Sequence, residues 1–172
     1  MPDIKAGSRT KSDFMDRLRL SGGLISAIDG LWFLAVEEAS GTVEAMRLDM
    51  KVRERYVHIL VKRMRRDLGF SLSGIDGIRQ VIEADPVFLA NEYEISHLSR
   101  DRMFVRINQC PLLEAMERAG RTNYVCETTT ALYFQNVARE IEPNVAVHAI
   151  KLPPRGSPDE AACEWLFEVR GS

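Results

Sequence analysis

The segment Tyr93-Glu94-Ile95-Ser96-His97-Leu98-Ser99-Arg100-Asp101-Arg102-Met103-Phe104-Val105-Arg106-Ile107 reads as a β-hairpin. Apolar side chains alternate on both arms, as they do on a strand with one buried face. Pairing Ile95 with Val105 and His97 with Met103 puts both alternating sets on the same face, with Ser99-Arg100-Asp101 at the tip. Toward the C-terminus, residues 144–152 and 162–170 read as two more strands. On the last of these Cys163, Trp165, Phe167 and Val169 share one face. Between the hairpin and this pair lie two helical segments, 111–118 and 126–141. Pro111 occupies the favoured first position of the former, and Gly120 closes it.

Everything before residue 85 reads as helix. Lys11 to Leu20 forms a short helix, and Ser21-Gly22-Gly23 is expected to break it. A second helix over 24–39 carries Leu24, Ile28, Leu31 and Ala35 at helical spacing, flanked by Ile25, Trp32, Val36 and Ala39, as a core stripe. Gly41 stops it. A third helix over 42–68 has the stripe Val43, Met46, Met50, Val57, Val61, Met64 and Leu68, and a shorter one ends at Asp85-Pro86. Helices, hairpin, helices and two strands together predict an α+β fold. An antiparallel sheet of about four strands packs against helices, and the N-terminal half is helical. The expected organisation is a flexible arm with a short helix over residues 1–22 and one α+β domain over 23–172.

The chain has 172 residues, 45% apolar and 28% charged, with 23 basic against 25 acidic side chains and a net charge of −2. That balance gives no global reason to expect nucleic acid as a partner. The basic run Lys62-Arg63-Met64-Arg65-Arg66 sits where cations complement a helix C-terminus. No continuous apolar run approaches the roughly 20 residues that span a bilayer, and the first 20 residues lack a secretory core, so a cytoplasmic protein without a membrane partner is expected. A homodimer through the N-terminal or the third helix is one expected assembly.

Three cysteines at no zinc-like spacing argue against a disulfide framework. Cys110 stands at a strand-to-helix junction, where helix amides favour a thiolate, and Arg106 would add a positive charge on the same side. Cys126 lies on the apolar stripe of its helix, with Tyr133 one face-repeat on. Cys163 reads as core unless the three cysteines converge. Asp29 and Glu37, two turns apart with Phe33 between them, could flank a pocket walled by Trp32. His97 and His148 read as partly buried and His58 as exposed. There is no Cys-x-x-Cys and no His-x-x-x-His, so zinc or another transition metal has weak support from spacing.

The segment Asp29-Gly30-Leu31-Trp32-Phe33-Leu34-Ala35-Val36-Glu37, with Gly41 and Asp49, resembles a bacterial and archaeal family described as L-2-amino-thiazoline-4-carboxylate hydrolase-like. The later residues Cys110-Pro111, Cys126, Tyr133-Phe134, Ile141-Glu142-Pro143, Pro153-Pro154 and Cys163-Glu164-Trp165-Leu166-Phe167 extend the resemblance over about residues 24 to 170. The last 45 residues are also similar to the vinyl-reductase-type small-ligand-binding domain. Members of the first family often carry a further cysteine before the Pro-Pro pair, where this chain has Leu152.

The resemblance implies hydrolysis of a small cyclic or amide-like substrate. Cys110 would be the nucleophile and Glu37 or Asp29 the base, with Trp32, Arg106, Cys126 and Tyr133 against the substrate. The second resemblance implies instead a non-catalytic module binding a small molecule or a metal. A carboxylate within reach of a thiol would favour the enzyme, and a mostly apolar cavity the binding module.

Overall fold

The computed structural model describes residues 11–171. The flexible lead expected over residues 1–10 lies outside the described residues. The chain runs through helices α1 (Lys11–Ser40), α2 (Thr42–Asp67) and α3 (Gly74–Ala84). A 3-10 turn at Phe88–Ala90 then leads into strands β1 (Glu92–Ser99) and β2 (Arg102–Gln109). Helices α4 (Pro111–Arg118) and α5 (Cys126–Ile141) follow, then strands β3 (Val145–Lys151) and β4 (Cys163–Val169). The strands form one antiparallel sheet in the order β1-β2-β4-β3. The fold is therefore α+β with a helical N-terminal half.

The hairpin register is the one its alternation dictates: Tyr93 pairs with Ile107, Ile95 with Val105 and His97 with Met103. β4 continues the same face, with Val105 beside Trp165 and Met103 beside Phe167. This face is buried against helices, and Phe134 of α5 meets Phe88, Trp165 and Phe167 edge-on, with ring centroids 5.2 to 5.9 Å apart. The opposite face is wetter and is tied by the cross-strand pairs Arg106–Glu164 and Arg102–Glu168. His58 is exposed beside Glu140, but His97 and His148, both expected to be partly buried, are exposed too, His97 beside Asp76 and His148 on this wet face.

Two expectations for α1 are corrected. The chain does not break at Ser21-Gly22-Gly23: one helix of 30 residues runs straight through. Gly22 is there because α1 presses on the turn after α3, where a Cβ at Gly22 would sit 1.7 Å from the Pro86 carbonyl oxygen. Residues 11–22 are accordingly joined to the following helix, not separate from it. The second correction concerns the stripe. Leu24, Ile28 and Leu31 face outward, 57% to 69% exposed, while Gly22, Ser26, Asp29 and Phe33 face the protein. With the break removed, α1 is also long and apolar enough to cross a membrane by length and composition alone. In α2 the stripe holds at Val57, Val61 and Met64, but Val43 is 86% exposed and Leu68 is also exposed.

Candidate functional site

A cavity of about 290 Å3 opens between α1, α2, the 3-10 turn, α4 and α5. Its wall is mostly apolar and includes Ile25, Val52, Phe88, Ile107, Leu113 and Ala162. All three cysteines converge on it, although they come from three different elements. Cys110 is the residue before α4, Cys126 opens α5 and Cys163 opens β4. Cys110 alone is partly exposed.

Cys110 is not activated as expected. Burial raises the pKa of Cys110, against the amides of Leu113 and Leu112 that reach its sulfur and the positive charge of Arg155. The helix-start effect is thus present, and desolvation outweighs it. Burial likewise raises Cys126 to about 11 and Cys163 to about 12. Arg106 takes no part. It pairs with Glu164 at 2.8 Å on the exposed face of the sheet. Strand alternation stops at Gln109, so Cys110 does not share the direction of Arg106.

Asp29 lines the cavity and accepts a hydrogen bond from Arg53 Nη2 at 3.1 Å, while Arg53 Nε donates to Asp49 at 2.7 Å. Burial raises the Asp29 pKa even with Arg53 beside it. A second carboxylate, Asp85, is almost fully buried. It accepts from Tyr56 at 2.6 Å, from Tyr133 at 2.7 Å and from the Val87 amide at 2.9 Å. Desolvation raises its pKa despite these donors. Tyr133 lines the cavity, with its hydroxyl committed to Asp85.

Two more expected site residues lie elsewhere. Trp32 is 66% exposed on the outer face of α1 and is not part of the wall. Glu37 is a structural clamp. It accepts two hydrogen bonds from Arg121 at 2.7 and 2.8 Å and one from Thr42 at 2.8 Å, which bring its pKa down to about 2. Among the described residues, no group of three His, Cys, Asp or Glu side chains is placed to hold a metal ion.

Arg53 and Tyr56 carry no expectation from the sequence, and Asp49 and Asp85 enter there only as a signature residue and a helix end, not as members of the site. A signal for Arg53 existed: it fills the helical position between Met50 and Val57 where the apolar stripe of α2 skips a turn.

Residues 9–169 match the family described as a family of unknown function (DUF6125). The chain belongs to that family. The matched span takes in every residue of the cavity wall, from Ile25 to Cys163. No curated protein matches the chain.

Proposed function

We propose that this chain binds a small, largely apolar molecule in the cavity between α1, α2, α4 and α5. The observation that carries the reading is a cavity of about 290 Å3 with a mostly apolar wall, in which Asp29 is already paired with Arg53 and Asp85 with Tyr56 and Tyr133. That volume is at the low end of the ~300–1,000 Å3 range of ligand pockets. Asp29 and Arg53 give it one polar side, which would orient a ligand carrying a single polar group. The likeness of the last 45 residues to a small-ligand-binding domain agrees with this.

A second reading is hydrolysis of a thiazoline-carboxylate-type substrate. It is favoured by Cys110, the only partly exposed thiol, whose sulfur meets the Leu112 and Leu113 amides and shares the cavity with Asp29. Cys110 Sγ would add to the ring C=N carbon as Asp29 takes the thiol proton, the ring carbon–sulfur bond would break with that proton passing to the departing sulfur, and water would then cleave the carbon–Sγ bond to release the opened product and the free thiol. Glu37 has no role in either reading, because it is held by Arg121 and Thr42 away from the cavity.

A thermal-shift comparison tests the first reading, with indole as the probe. Indole at ~1 mM raises the wild-type Tm by mass action and leaves Thr130→Phe, which fills the cavity, unshifted. Equal shifts in both proteins would place the binding elsewhere. Turnover of a thiazoline carboxylate that is abolished in Cys110→Ala would establish the second reading instead.

A further inference from the structure

The face of α1 that points away from the cavity carries Leu20, Leu24, Ile28, Leu31, Trp32 and Leu34, each 48% to 69% exposed. Arg17 and Glu38, both exposed, close the two ends of this face. By helical spacing no charged residue falls within it. A continuous apolar face of this length on a folded domain marks a surface that something covers.

We propose that a second copy of this chain covers it, through antiparallel packing of α1 against α1 about a two-fold axis between residues 27 and 28. In that register Leu20 lies opposite Ala35 and Leu24 opposite Leu31, so large side chains meet smaller or equal ones along about four turns. Arg17 lies opposite Glu38 at both ends. A parallel pairing would instead set Arg17 against Arg17 and Glu38 against Glu38. The charge pattern thus selects the antiparallel dimer, in the isologous form a two-fold requires. Covering the six apolar side chains together with exposed Phe14 removes on the order of 800 Å2 per copy, the size of one side of a stable interface. A lipid surface fits less well. The charged residues bordering the face near its start, Lys11, Asp13, Asp16, Arg17 and Arg19, mix both signs, whereas membrane-surface helices are flanked by an excess of cations.

Sedimentation equilibrium of the full chain tests this. Wild type at ~20 µM is expected at twice 19.5 kDa, and Ile28→Glu at 19.5 kDa with an unchanged circular dichroism spectrum. Charge reversal gives a second test on exposed positions that do not endanger folding. Arg17→Glu and Glu38→Arg should each weaken the dimer about tenfold, and the double variant should recover most of that loss. A wild-type monomer, a dimeric Ile28→Glu, or a double variant weaker than either single one overturns the proposal. So does a monomer that co-sediments with phosphatidylcholine–phosphatidylglycerol vesicles, which would assign the face to a membrane.

Discussion

Cys110 shows how a local rule can be right and still lose. Its position before Pro111 brings the Leu112 and Leu113 amides to its sulfur, as the sequence implies. The sequence does not show that Cys110 will line one cavity with α5, β4 and residues Pro153 and Ala162, and burial sets the direction of the shift. Arg106 fails as an activator for a related reason: alternation is readable along β2 but not across its end. Accessibility, not acidity, then separates the three thiols. Iodoacetamide at pH 7.5 is expected to modify Cys110 slowly and to leave Cys126 and Cys163, raised to about 11 and 12, unmodified in the folded protein. Peptide mapping showing Cys163 labelled first would contradict this. Arg53 was legible at the same scale, as the residue standing in the gap of an apolar stripe, and its partners Asp29 and Asp49 follow from where that gap points.

At the scale of the element, α1 is the helix that composition described least well. It is apolar on two sides, so periodicity identifies a helix without saying which side is inward. The inward side is chosen by Gly22, whose missing side chain lets the helix lie on the Pro86 carbonyl. Gly22→Ala is therefore expected to destabilise the fold by about 2 kcal/mol or more, because backbone must move. At Gly23 a Cβ meets nothing within 4 Å, and Gly23→Ala should stabilise by roughly 0.5–1 kcal/mol in urea unfolding. The far end of α1 is held by Glu37, whose folded pKa of about 2 lies below its ordinary 4.5. A depressed carboxylate stabilises above its unfolded pKa and loses that contribution as pH falls. The Tm of wild type should then drop between about pH 5 and pH 2 more steeply than that of Glu37→Gln, whose neutral-pH Tm is lower. Parallel curves for the two proteins would show that the clamp contributes nothing.

At the scale of the molecule, the sheet was legible and the cavity was not. Sheet register depends on alternation within strands and on a short turn, so Ile95–Val105 and His97–Met103 can be paired from the sequence. The cavity depends on how α1, α2, α4 and α5 meet, and no local pattern holds that information. Asp29 and Cys110 were within reach of sequence reasoning as members of one site, but Asp85 was not. Its two phenol donors come from α2 and α5, 29 and 48 residues away. The central claim is that this convergence makes a binding site. An amide chemical-shift titration of the 15N-labelled chain with indole tests it most directly. The account predicts saturable shifts clustered at Tyr56, Cys110, Cys126 and Tyr133. Shifts confined to Leu24, Ile28 and Leu31 on the outer face of α1, or no saturable shifts at all, would contradict it.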